Sequence, residues 1–101
     1  MSKYSLCGKF KTKAGKRDEM IDILTEAADG MADVKGCHLY IVHKDARDEN
    51  TIWVYELWDT KEDHDASLKL PGTPEMIAKA MPLMDGMPEG NHLEAVAGKG
   101  Y

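Results

Sequence analysis

Residues 4–12 alternate, with Tyr4, Leu6, Gly8 and Phe10 on one side and Ser5, Cys7, Lys9 and Lys11 on the other, the period of a half-buried strand. Ala14-Gly15 breaks that period. Met20, Leu24, Ala27, Ala28 and Met31 then recur at helical steps while Lys16, Arg17, Glu19, Asp22 and Glu26 fall mostly elsewhere, which predicts an amphipathic helix ending near Val34-Lys35-Gly36. The segments 37–43 (CHLYIVH) and 51–58 (TIWVYELW) are rich in β-formers. A run of charged and polar turn residues separates them, so together they predict a hairpin. In both strands the apolar residues fall on both sides. Leu39 and Ile41 oppose Tyr40 and Val42, and Trp53, Tyr55 and Leu57 oppose Ile52, Val54 and Trp58. Apolar residues on both faces imply that both faces are covered.

Thr60, with Asp63 three residues on, predicts an N-cap opening a short helix to about residue 70, before Pro71-Gly72 interrupts it. Pro74 suits the first position of a further helix in which Met76, Ile77, Ala80, Met81 and Met84 recur at helical spacing. Pro82 ends or kinks that helix. A loop over 84–91 leads to a last strand over 92–97 and a short tail. Strand, helix, strand, strand, helix, strand is the split β-α-β ferredoxin-like plan, an α+β fold. Its helices cover one face of the sheet only. The economical cover for the other apolar face is the sheet of an identical chain, giving a two-fold homodimer.

A length of 101 residues with 43% hydrophobic content predicts one domain over 1–101. The chain is small enough that burying further apolar area against a second copy would help it. With 18 acidic against 13 basic residues and a formal charge of −5, nucleic acid and anionic lipid are poor partners, since both require clustered Lys and Arg. The first residues, MSKYSLCGKF, lack a long apolar run and a small-residue cleavage site, so a cytoplasmic location is expected. Cys7 and Cys37 lack metal-ligand spacing and are expected as small buried thiols. His38, His43, His64 and His92 have neither the helical nor the short-loop spacing of a metal site, so no metal is expected.

The densest chemistry lies in IWVYELWDTKEDHDASL, residues 52–68, where a strand passes into a helix with Tyr55, Glu56, Trp58, His64 and Ser67 close to the junction. Four features run the length of the chain: the Ala14-Gly15-Lys16 turn, Gly36-Cys37 before the second strand, Tyr55-Glu56-x-Trp58 closing the third, and the Gly98-Lys99-Gly100 tail. Together they resemble the antibiotic biosynthesis monooxygenase (ABM) family, and especially a branch whose Trp is followed by Glu-x-His-Asp-Ala-Ser-Leu, here residues 62–68. The resemblance implies a dimeric α+β barrel with a pocket in each subunit between helices and sheet. It implies, for several members, oxygenation of quinols or other hydroxylated aromatics without metal, flavin or haem. Fold transfers within such a family more readily than function. Many relatives place a His where this chain has Ser67. The haem-degrading relatives depend on an Asn in the first strand, a Trp in the short helix and a His in the following one. None of these is present at the matching positions here, which disfavours haem degradation.

Oxygenation without a cofactor requires a dihydroxyaromatic to lose a proton before it reduces dioxygen, hence a base titrating near neutrality in a dry pocket. His64 meets the first need by type, and Ser67 and Leu68 share its helical face. Glu56 and Trp58 share a strand face; an inward Glu56 would need a partner and would orient or tune His64. The expected site is therefore His64 and Glu56 as catalytic groups, with Trp58, Ser67, Tyr40, His38 and Met81 shaping the substrate pocket. His38 enters because alternation places it beside Tyr40, and Met81 because flexible thioethers adapt to flat rings. Each has a plainer reading: Trp58 and the Met stripe as core, His64 and His38 as surface or hydrogen-bonded histidines. Two further functions fit the same residues. One is a small-molecule isomerase using a His64/Glu56 acid-base pair; the other is a dimeric, non-enzymatic binding module for a small apolar ligand.

Overall fold

The computed structural model describes residues 2–101. Among them four strands and three helices follow the order β1 (Lys3–Lys11), α1 (Arg17–Asp29), β2 (Cys37–Lys44), β3 (Thr51–Trp58), α2 (Lys61–Ser67), α3 (Thr73–Ala80) and β4 (Glu89–Ala95). A 3-10 turn over Met81–Leu83 carries Pro82 at the end of α3, where a proline cannot continue the α-helical ladder. The sheet is antiparallel throughout, in the order β2-β3-β1-β4. This is the ferredoxin-like α+β arrangement. No helix among the described residues is long and apolar enough to cross a membrane.

Register decides which face of β3 meets the helices. Phe10 lies opposite Ile52, Gly8 opposite Val54, Leu6 opposite Glu56 and Tyr4 opposite Trp58, while β2 sets Val42 and Tyr40 beside Val54 and Glu56. Ile52, Val54 and Trp58 are fully buried, and Ile52 and Val54 pack with Met20 and Leu24 of α1 and with Ala80, Leu83 and Met84. Each large side chain so removed from water contributes about 1.5–3 kcal/mol. The opposite face carries Trp53, Tyr55 and Leu57 with Leu39, Ile41 and Leu93. Leu57 is buried there, but Ile41 and Leu93 remain 42% and 51% exposed.

Several boundaries depart from the hydrophobic pattern. Helix α1 stops at Asp29, short of Val34, because Gly30 follows and no basic side chain in its last turn offsets the carbonyl ends. Helix α2 stops at Ser67, not residue 70. Strand β4 begins at Glu89 and ends at Ala95, earlier than 92–97. Its ladder with β1 runs from Lys9 opposite Glu89 to Lys3 opposite Ala95, and six of its seven residues are exposed, so backbone pairing defines it and no apolar alternation marks it. Neither cysteine is fully buried.

The β3–α2 junction is fastened at two points. Thr60 Oγ1 accepts the Asp63 backbone N–H at 3.1 Å, the cap expected from the sequence. Gly36, just before β2, has φ +80°, accepts the Asp59 N–H at 2.8 Å, and lies so close to Asp63 that a β-carbon would collide with that carboxylate. Gly72, ahead of α3, has φ +92° but open space around it. Gly36→Ala is therefore expected to lower Tm by about 5–15 °C, because the left-handed backbone alone costs roughly 1–2 kcal/mol and the clash adds to it. Gly72→Ala carries the backbone cost alone and is expected to lower Tm less. Thermal melts in which Gly36→Ala is as stable as Gly72→Ala would refute this packing.

Candidate active site

Strand alternation and one helical turn converge on a single point. Glu56 and Trp58 project from β3 toward the helices, the chain turns at Asp59-Thr60, and α2 returns His64 over the end of β3. His64 is 8% exposed. Its ring stands edge-on to Trp58, with centroids 5.6 Å apart and planes at 81°, and lies tilted against Tyr4 at 5.5 Å. Nε2 is 3.9 Å from Glu56 Oε1, and Nδ1 is 3.0 Å from Asp65 Oδ1.

Glu56 is held inside by the residue two places on, since Trp58 Nε1 donates to Glu56 Oε1 at 3.0 Å. Burial pushes the Glu56 carboxyl above its ordinary 4.5; the Trp58 hydrogen bond and the nearby His64 pull the other way without cancelling it. Tyr40 is its cross-strand neighbour. Burial first, then the Glu56 and Cys37 charges, push the Tyr40 hydroxyl far up, so it remains an O–H donor at ordinary pH. The same two influences, burial and Glu56, raise the Cys37 thiol and suppress its thiolate. Ser67 is buried one turn after His64, and its Oγ donates to the His64 carbonyl oxygen at 2.6 Å.

These groups border a cavity of about 520 Å³ between α1, the α2–α3 segment and the sheet. Tyr40, Glu56, His64 and Ser67 are the polar groups on its sheet and α2 side, and Ile23, Ala27, Met31, Leu68, Pro71 and Met76 form much of its apolar wall. Exposed Asp22, Glu26, Glu75 and Lys79 also line it. The volume lies in the range that takes small organic ligands, and an apolar wall with a few convergent polar groups is the usual composition of such sites.

Of the residues singled out in the sequence, His64, Glu56, Ser67 and Tyr40 thus meet in one cavity. Trp58 is completely buried beside it, in contact with Glu56 and His64. His38 does not line the cavity. The ladder steps from Cys37 opposite Trp58 to Leu39 opposite Leu57, so His38 is an extra residue outside the alternation, and it pairs with Asp59 at the surface. Met81 is 51% exposed past the end of α3, and Met76 lines the cavity in its place. Asp65 and Tyr4, both in contact with His64, escaped the sequence reading. Asp65 is adjacent in the chain, but neighbours on a helix diverge, and the Tyr4 contact exists only because β1 pairs with β3. Among the described residues no group of three or more His, Cys, Asp or Glu is arranged to hold a metal ion.

Residues 4–79 match the sequence profile of a family described as antibiotic biosynthesis monooxygenase. The chain belongs to the ABM family. A crystal structure from Chloroflexus aurantiacus J-10-fl, provisionally described as an antibiotic biosynthesis monooxygenase, is 38% identical, is covered over 95% of each chain and superposes with a TM-score of 0.84. A Caulobacter crescentus CB15 structure with the same provisional description has 21% identity, coverage of 95% of this chain and 92% of that one, and a TM-score of 0.88. One from Nitrosomonas europaea has 14% identity, coverage of 93% and 90%, and a TM-score of 0.89. The last two bear on the ABM fold alone. A search of curated proteins gives no match. ABM membership supports a monooxygenase-type function and names no substrate.

The ABM cavity carries its own pH signature. With its folded pKa raised, Glu56 is neutral in both states at low pH. As pH rises past 4.5 the unfolded chain ionises first, so stability is lost until pH passes the raised folded value. Glu56→Gln removes that loss. The Tm of the variant minus that of wild type is expected to grow more positive as pH rises above 4.5. A difference that stays constant across that range would show that Glu56 is not buried as described.

Proposed function

We propose that this ABM protein is a cofactor-independent monooxygenase that oxidises a quinol or another hydroxylated aromatic with dioxygen. The observation that supports this most is the buried imidazole of His64, set between two carboxylates on a largely apolar cavity of small-molecule size. In this reading His64 Nε2 takes the proton of a ring hydroxyl, and Tyr40 donates to an oxygen of the bound ring. The resulting phenolate is electron-rich enough to reduce dioxygen. For an anthrone-type substrate the ring CH2 becomes C=O: it loses two hydrogens, one oxygen atom enters the product and the other leaves with those hydrogens as water, with all electrons supplied by substrate and none by a cofactor. The apolar wall keeps water from the phenolate.

The protonatable Glu56 near His64 favours a second reading, an isomerase in which the pair moves a proton between carbons or oxygens of a small substrate. Dioxygen separates the two, because an isomerase consumes none. Purified protein supplied with a panel of reduced quinols and anthrones in an oxygen electrode is expected to take up oxygen above the spontaneous rate. His64→Ala is expected to lower that rate by about 100-fold or more, the usual contribution of a positioned base. Uptake no faster than buffer across the panel would overturn the oxygenase reading.

The same reading takes the protein as a homodimer joined through the sheet face away from the helices, where Ile41 and Leu93 are exposed beside Trp53 and Tyr55. Light scattering at micromolar concentration is expected to give twice the chain mass, and an Ile41→Lys, Leu93→Lys variant the mass of one chain. A monomeric wild type would remove this part of the proposal.

A further inference from the structure

We propose that Asp65 is the positioning residue of this site: it accepts the Nδ1–H of His64, so that the neutral imidazole presents its Nε2 lone pair to the cavity. The inference rests on the reading of His64 as the base. The two ring nitrogens have different surroundings. Nδ1 is 3.0 Å from Asp65 Oδ1, within hydrogen-bonding distance, whereas Nε2 is 3.9 Å from Glu56 Oε1 and beyond it. The other Asp65 oxygen, Oδ2, receives the Lys61 ammonium at 2.8 Å from one turn earlier in α2. Lys61 first, and then His64, hold the Asp65 carboxyl below its ordinary range, so at neutral pH it is an anion with acceptor capacity only. An acceptor-only group at Nδ1 selects the tautomer that carries hydrogen there and leaves Nε2 free to take a proton.

The other groups packed on His64 do not compete for that role. The Tyr4 hydroxyl pairs with His92 Nδ1 at 2.6 Å, the Trp58 N–H is given to Glu56, and the Ser67 hydroxyl is given to the His64 carbonyl. When a substrate O–H proton moves to Nε2, the substrate becomes a phenolate and the ring an imidazolium, its Nδ1–H still directed at Asp65. No proton passes to the carboxylate. Its negative charge favours the cation that forms, as a carboxylate behind a catalytic imidazole does elsewhere. The exposed Lys61–Asp65 ion pair, one helical turn long, favours the Asp65 rotamer that turns Oδ1 to His64.

Long-range proton–nitrogen NMR spectra of nitrogen-labelled protein read the tautomer of neutral His64 without any substrate. Wild type is expected to carry hydrogen on Nδ1; in Asp65→Asn the single amide oxygen faces the Lys61 ammonium and the amide NH2 faces Nδ1, so the hydrogen is expected on Nε2. Asp65→Ala is expected to move the hydrogen to Nε2 and to lower kcat for quinol-dependent oxygen uptake by about tenfold or more with KM little changed. Asp65→Asn should lower kcat at least as much as Asp65→Ala, because its amide NH2 holds the wrong tautomer in place. Dispersed backbone spectra of both variants confirm that they fold. Hydrogen on Nε2 in wild type, or an unchanged tautomer in Asp65→Ala, overturns the inference. Because the tautomer is read in the absence of substrate, it stands or falls separately from oxygen uptake, whose failure would count against the oxygenase reading instead.

Discussion

The indole of Trp58 is completely buried at the end of β3, and a buried N–H must be given an acceptor. The acceptor is Glu56, two residues back on the same strand face. Most of the site follows from that bond. It holds a carboxylate in the interior beside Tyr40, where burial raises the carboxyl's pKa against the opposing pull of the bond itself, and places a polar point in the cavity wall. Helix α2 then closes over the pair, and His64 packs on the indole edge while its Nε2 looks toward the carboxylate. Packing and chemistry share the same atoms here. A side chain that reads as a core anchor is also the one that keeps an acid inside.

The junction between β3 and α2 determines how accurately these groups meet. Two residues separate the last position of the strand from the first of the helix, so the direction of α2 depends on its cap and on what lies beside it. Thr60 supplies the cap, and the close approach of Gly36 to Asp63 holds the helix against the start of β2. A small error in that angle would shift His64 relative to both carboxylates. The cavity on the other side of His64 is walled by α1 and the α2–α3 segment, elements with little part in the β3 ladder. The sheet and α2 thus carry Glu56, His64 and Ser67, and α1 and α3 supply much of the remaining wall.

Much of the site was readable in residues 52–68 because two simple periods meet there. A period of two places Glu56 and Trp58 together, and a step of three places Ser67 behind His64; both hold in the structure. The readings that did not reach the cavity applied a period where the backbone departs from it. Alternation along β2 puts His38 on the face of Tyr40, and the ladder irregularity between Cys37 and Leu39 breaks that alternation. Helical spacing groups Met81 with Met76, but at Met81 the chain has already tightened into the 3-10 turn that contains Pro82. Asp65 was passed over for the opposite reason. Adjacent helical positions diverge, yet side chains as long as His and Asp bend back to meet.

The sequence by itself determined the order of elements, the ferredoxin-like plan, the cap of α2 and the grouping of Glu56, Trp58, His64 and Ser67, because each rests on spacing along a few consecutive residues. The tertiary structure alone decided which face of β3 meets the helices, since both faces are apolar and only cross-strand register and helix packing distinguish them. It likewise decided that Tyr4 and Tyr40 join the site from strands distant in the chain, and that α1 walls the cavity with Ile23, Ala27 and Met31. The extent of β4 belongs to the same class. Its side chains are largely exposed, so its limits come from backbone hydrogen bonds to β1, which leave no apolar pattern in the sequence.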